Sequence, residues 1–467
     1  MTNNTQTPEK FNHPPEPLQG PIGAELFVHF DQPQLSSDAG LLLVASDPWT
    51  QRVIEKIAGC LEKRRRCPKH TLQEMFAQRT LQIVAGYEDA NDATTLRHDG
   101  LMQACVGRTP GPDAALASQP TLCRLENTVS RRELLKMFYA QIDLFMDSYA
   151  MEKAPQMLVL DLDPTACITY GQQELGFYNG HIGDYCLMPF HLYEGQSGKL
   201  IATVLRPGKT PTAAEILKLL RRVVRHIHKR WPRMRLMLRA DSHHTKPEVL
   251  DWLESKGLDY ALGYAPNDVL ERECMDKITE ARKAFQARVK AGDAQPEVRR
   301  FHSVSYKAGS WQQQRRVVAR IAVTELGVDV RYIVTSFQEA SAKALYDTVY
   351  CGRGNAELYI KAYKLDLAGD RLSCTSAMAN QFRLFLHGAA YTVLHGFRRT
   401  VLAGTRLAKA SFGQLRLKLI KVAARLDVCA KRLHLHLPWQ LPAGDVIKDV
   451  IEQLRNRQAT SACYWAT

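Results

Sequence analysis

Residues 157–165 read Met-Leu-Val-Leu-Asp-Leu-Asp-Pro-Thr. A near-continuous apolar run of this length fits a central strand buried on both faces. It turns acidic at its end, and the two-residue side-chain period puts Asp161 and Asp163 on the same side. The chain downstream supplies neighbours for such a strand. Two more strands are expected at Leu187–Tyr193 and Lys199–Leu205, with Glu194-Gly195-Gln196-Ser197-Gly198 as the turn between them. A helix over Ala213–Lys229 carries Arg221, Arg222 and Arg225, and a strand at Arg235–Arg239 then delivers Ala240-Asp241-Ser242. A helix over Pro247–Lys256 and a strand at Tyr260–Gly263 complete an α/β unit. In open α/β sheets, sites gather at strand ends, and here one acid ends the first strand and another follows the fourth.

A second stretch carries a different chemistry. Tyr350, Arg353, Glu357 and Lys364 stand at i, i+3, i+7 and i+14. At about 100° per residue, these positions fall within about 60° of one another on a helix. The stripe reads either as a solvated amphipathic face with scattered charges or as a site. In a site, the glutamate ligates a cation while Arg and Lys grip phosphate oxygens. Gly352 and Gly354 weaken the helix at its start, and Asn355 suits an N-cap, leaving Tyr350 and Arg353 on the approach loop.

The pattern Y-x-x-R-x-x-x-E-x-x-x-x-x-x-K, matched at all four positions, resembles the signature of DDE-type bacterial insertion-sequence transposases. The segments Gly86-Tyr87-Glu88-Asp89-Ala90-Asn91-Asp92-Ala93 and Leu116–Asn127 are similar to those of the insertion-sequence group numbered thirteen-eighty. The resemblance implies a ribonuclease H-like catalytic core, whose element order is the one read above. It implies a carboxylate triad of Asp163, Asp241 and Glu357; Asp163-Pro164-Thr165 resembles the family's D-x-T, which favours Asp163 over Asp161. Three carboxylates suit two Mg²⁺ ions held roughly 3.5–4 Å apart, with Mn²⁺ as a substitute, since hard oxygen ligands select these ions over zinc. Like charges this close repel, so full ionisation needs the metals. Arg353 and Lys364 would position the strand being cut, and Tyr350 would hydrogen-bond a phosphate.

The activity implied is recognition of terminal inverted repeats, cleavage there, and joining of the ends to target DNA by a homodimer or larger synaptic complex. Two other readings stand beside it. One is a catalytically silent DNA-binding regulator derived from a transposase. The other is a structure-selective nuclease of the same fold, which cuts without joining.

Composition agrees with a polyanionic partner. The 467 residues carry a net charge of +14. From residue 371 onward there are 15 Lys and Arg against 4 Asp and Glu, so most of the excess lies in the last fifth. The 11 cysteines are odd in number and form no C-x-x-C pair, which favours reduced thiols over disulfides or a zinc site. Met1–Thr5 shows no signal-peptide pattern and no apolar run approaches a membrane span, so a cytoplasmic, nucleoid-associated protein is expected.

The organisation expected is a flexible arm over 1–34, a helical DNA-binding region over 35–150, and the core in two parts at 151–265 and 346–400. A β-rich insertion over 266–345 separates the two parts, and a basic helical region closes the chain at 401–467. Within these regions the residues leave several alternatives open. Glu88, Asp89 and Asp92 are metal ligands or caps and turn residues. Ser118, Thr121, Arg124 and Asn127 suit phosphate contacts. Trp311 stacks on an unpaired base or is a packing aromatic. His434 and His436 share a face of a short strand at metal-like spacing, without a third ligand nearby in sequence. His243 and His244 beside Asp241 polarise a water or touch a phosphate, or form a surface loop. A basic helix is expected over Leu415–Leu426.

Overall fold

The computed structural model describes residues 18–19, 25–27, 35–63, 68–150, 154–429 and 432–464. The expected flexible arm over 1–34 lies mostly outside them; within it, Leu18–Gln19 pairs antiparallel with Glu25–Leu26. The described residues between 39 and 147 form a series of helices, ending in α1 (Arg131–Asp147). Capping boxes at Thr71/Glu74 and Ser130/Glu133 start two of these helices by satisfying amides that the first turn leaves orphaned.

The central sheet begins with β1 (Met157–Pro164), β2 (Phe190–Glu194) and β3 (Leu200–Val204). Then come α2 (Ala213–Arg230), β4 (Arg235–Ala240), α3 (Pro247–Ser255) and β5 (Asp259–Tyr264). β4 lies between β1 and β5 and runs parallel to both, whereas β1–β2 and β2–β3 are antiparallel. All five residues of β2 are buried, and Leu158 to Leu162 of β1 are buried on both faces.

Three further strands extend this sheet: β6 (Val298–Tyr306), β7 (Arg315–Thr324) and β8 (Gly327–Thr335). The full order is β6-β7-β8-β5-β4-β1-β2-β3. Residues 298–335 therefore do not stand apart from the core. β8 pairs antiparallel with β5 from Ala261↔Thr335 to Tyr264↔Tyr332, so the free amides and carbonyls of that edge are paired within the chain. Two helices, Asp268–Glu273 and Met275–Lys290, precede β6.

After β8 the backbone stays helical in mixed form. It is a π-helix over Ala344–Tyr350, a 3-10 turn over Cys351–Arg353, α4 (Gly354–Lys361), and a π-helix over Ala362–Asp366. Arg353, not Asn355, stands at the N-cap of α4. The 24-residue α5 (Ala377–Thr400) packs against β3, α1 and the helices Pro48–Ala58 and Leu72–Ala85. The helical region and the sheet consequently share one hydrophobic core.

The helix expected over Leu415–Leu426 ends at Ile420. Ala424–Cys429 is a strand instead, paired with Arg432–His436 and with Leu35–Ser36. A contact 388 residues away in sequence, Ala424 to Ser36, overrides the local helical pattern. A second difference is a small three-stranded sheet of Cys167–Ile168, Phe177–Asn179 and Asp184–Leu187, which takes the start of the run read as one strand over 187–193. Among the described residues, no helix is long and apolar enough to cross a membrane.

Candidate active site

β1 and β4 run parallel and both deliver an acid at the same edge of the sheet. Asp163 is the penultimate residue of β1, and Asp241 follows the last residue of β4. Glu357 lies in the first turn of α4. Arg353 joins them: its Nη1 donates to Asp163 Oδ2 at 3.1 Å, and its Nη2 lies 3.6 Å from Glu357 Oε1. Burial pushes the Asp163 carboxyl up to about 6; Arg353 opposes this, and the charges of Asp241 and Glu357 add to it. The three acids of the expected triad thus feel one another around a single guanidinium.

Asp241 caps the turn Ser242–His244 and accepts the His243 amide at 3.0 Å. Its carboxylate meets His244 Nδ1 at 2.7 Å and His243 Nδ1 at 3.2 Å. Burial would raise its pKa, but His244 and then His243 hold it well below the usual carboxylate range. His244 is fully buried, whereas Glu357 keeps 69% of its side chain exposed. Tyr350 reaches the same place. A Cβ on Gly263 would meet its hydroxyl at 2.7 Å and the Ser242 amide at 2.9 Å, so this glycine of β5 leaves the ring room beside Asp241. Tyr350 also hydrogen-bonds Arg353, and burial raises its phenol pKa.

Lys364 is turned elsewhere. Its Nζ donates to the Ala166 carbonyl at 2.8 Å and lies 3.6 Å from Asp370, so it fastens the loop that follows β1. The change from α to π geometry at Ala362 shifts its angle relative to a continuous α-helical stripe.

Asp161 has a different partner. Arg239 of β4 grips it bidentately, Nε to Oδ1 at 2.6 Å and Nη2 to Oδ2 at 2.7 Å, and the carboxylate is wholly buried. Burial raises the Asp161 pKa and Arg239 opposes that. The remaining Nη1 donates to the Val349 carbonyl at 2.7 Å, tying the approach to α4 onto the sheet. A Cβ on Gly195 would lie 2.3 Å from both Arg239 and Asp161, and one on Gly352 would lie 2.4 Å from Arg239. The fork fits because both neighbours are glycine. Sequence reasoning missed Arg239, although a lone cation in the apolar strand Leu236-Met237-Leu238-Arg239-Ala240 was its signal. Register makes it the cross-strand neighbour of Asp161. His191, opposite Asp163 on β2, was missed as well; it is fully buried, burial depresses its pKa to about 3, and neither ring nitrogen has a partner among the described residues.

Trp311 is a correction. Its side chain is 4% exposed, with its ring packed against Tyr264 and Tyr306 and the Arg315 guanidinium 5.1 Å from its centroid. An indole covered in this way offers no face to a base. Glu88 and Asp89 pair with Arg371, and Asp89 also with Arg383, so these acids hold the helical region to α5 and to the segment before it. Buried Arg79 collects the carbonyls of Tyr87, Glu88 and Asp89 and pairs with Glu126. Ser118, Thr121, Arg124 and Asn127 bond among themselves or to their own helix. The first three line a hollow of about 880 Å³ with Lys63, Lys69, His70 and Arg97. His436 pairs with Asp427 at 3.1 Å beside a stacked His434.

Among the described residues, no group of three or more His, Cys, Asp and Glu side chains is gathered so as to hold a metal ion. Asp163, Asp241 and Glu357 nonetheless fit a hard divalent cation in donor chemistry, and the raised pKa of Asp163 marks a carboxylate whose charge Arg353 only partly offsets. A cation bound by all three requires Arg353 to leave Asp163.

No curated protein matches the chain. Among solved structures, the chain is similar to a piggyBac transposase synaptic complex with hairpin DNA, at 9% identity and a TM-score of 0.42, covering 91% of this chain and 82% of that one. The family described as "Transposase DDE domain group 1" matches residues 22–459, nearly the whole sequence, and the chain belongs to that family.

Proposed function

We propose that the chain cuts DNA at the terminal inverted repeats of an insertion sequence and joins the ends to target DNA, with Asp163, Asp241 and Glu357 as its catalytic acids. The observation that carries this reading is that Asp163 and Asp241 end neighbouring parallel strands at one sheet edge, with Arg353 linking Asp163 to Glu357 of α4. The acids would hold two Mg²⁺ ions, or Mn²⁺, which supply activation of the attacking oxygen and stabilisation of the leaving one. Arg353, once off Asp163, donates to phosphate oxygens of the scissile strand, where its planar fork suits a phosphodiester. Tyr350 offers its hydroxyl on the Asp241 side. Lys364 acts by holding the loop after β1, and adds long-range positive charge for the strand. His244 holds Asp241 ionised and fixed in orientation.

A second reading, a DNA-binding regulator without catalysis, is favoured by one observation: Arg353 closes on Asp163. One assay separates the two. The protein is incubated with the DNA flanking its own gene and Mg²⁺, and cleavage and joining are followed. The catalytic reading expects both with the wild type, and loss of both with retained end binding for Asp241→Ala. End binding without cleavage by the wild type selects the regulator.

A further inference from the structure

The helix α2 carries a surface that the candidate active site does not use. Its apolar side, Ile216, Leu219, Leu220, Val223, Val224 and Ile227, is buried. On the other side stand Lys218, Arg221, Arg222, Arg225 and Lys229, spaced by three or four residues along about 16 Å of helix. Neighbouring basic residues are paired: Arg206 with Glu215, His226 with Asp143, and Arg230 with Asp147. None of the five enters an ion pair with a described residue. Like charges at this spacing repel, so the row weakens the isolated helix.

Four of the five, Lys218, Arg221, Arg222 and Arg225, line a cleft of about 490 Å³ against α3, with Glu248 its one acid. The cleft has a fixed relation to the site. β3 runs parallel to β1 and ends, at Val204, in register with Pro164, so α2 starts at the carboxylate edge and runs away from it. α3 starts six residues after Asp241. The cationic row therefore leads away from the three acids across the sheet.

We propose that this cleft holds the phosphate backbone of duplex DNA, without reading its sequence, and carries the duplex away from the point of cutting. Four unpaired cations against one carboxylate complement a polyanion, and cations spread along a helix match a strand of successive phosphates. The inference rests on the reading of the chain as a DNA-cutting enzyme.

The test compares wild-type protein with the combined variant Lys218→Gln, Arg221→Gln, Arg222→Gln and Arg225→Gln. Affinity for two duplexes of unrelated sequence is measured across a salt series, with cleavage of element-end DNA followed alongside. Each lost phosphate contact lowers the slope of log affinity against log salt by about 1, so the slope falls by about 3–4, equally on both duplexes, and affinity at low salt falls at least tenfold. Glu248→Gln, which removes the one acid and leaves every cation, tightens binding to both. This second variant decides the question by itself if the first does not fold. An unchanged slope in the combined variant, or unchanged affinity for Glu248→Gln, overturns the surface while cleavage by the wild type leaves the proposed function standing. A wild-type protein that binds neither duplex and cuts nothing overturns both.

Discussion

The Arg239–Asp161 pair gives the sharpest test of how the site is held. Replacing Arg239 by Met keeps an unbranched apolar stem but removes the fork. Asp161 then stays wholly buried without its two charge-assisted bonds, and the Val349 carbonyl loses its donor. Removing one partner of a buried ion pair costs about 3–5 kcal/mol, because the other charge is left uncompensated. The lost bond to the carbonyl adds about 1 kcal/mol. Natural domains hold only about 5–15 kcal/mol in total, so Arg239→Met is expected to shift the urea midpoint strongly at neutral pH. The double variant Arg239→Met with Asp161→Leu removes both charges and should recover most of the loss, since apolar replacements of buried pairs are often neutral or better. The double-mutant cycle then shows a coupling energy of several kcal/mol. Equilibrium urea unfolding followed by circular dichroism reads all four proteins, provided the slope with denaturant stays constant. A loss below about 1 kcal/mol for Arg239→Met, with additive behaviour in the double variant, would refute the claim that this pair anchors the segment before α4.

Other expectations follow from the same geometry. Gly352→Ala places a Cβ 2.4 Å from Arg239 and should lower stability by about 1–3 kcal/mol, measured in the same urea titration. Trp311→Ala should destabilise by about 3–5 kcal/mol while leaving DNA affinity of the folded protein unchanged, a combination that base stacking would not produce. In metal-free protein, the raised Asp163 pKa means that the folded state binds its proton more tightly than the unfolded state. Its contribution to stability is full below pH 3.8 and is lost as pH rises through about 6; Asp163→Asn should remove that slope, and unfolding titrations between pH 4 and 7 check it. Glu357→Gln, at a side chain 69% exposed, should leave stability in urea unfolding within about 0.5 kcal/mol of wild type and abolish Mg²⁺-dependent cleavage, which separates a chemical role from a structural one.

Much of the core was legible in the sequence because it obeys local periodicity. The apolar run at 157–162, the helix expected over 213–229 and the short strand before Asp241 each declare themselves through side-chain period and punctuation. These place two acids at strand ends without any knowledge of contacts. The pattern at 350–364 added the third acid, but only by resemblance, since its spacing equally describes a solvated face.

Tertiary structure decided the rest, for reasons no local pattern encodes. Whether Asp161 or Asp163 is committed to a structural partner depends on the register of β1 against β4, which sets Arg239 beside Asp161 and leaves Asp163 to Arg353. The direction of Lys364 depends on a switch to π geometry and on a carbonyl 198 residues away. Trp311 is sealed by residues from two other strands and the turn that holds it. The strand at 424–429 exists because residues 35–36 arrive beside it. Sequence by itself determined which residues bear charge and which elements form; which charges meet was settled by strand register and long-range packing, because the energies of those pairings depend on neighbours distant in the chain.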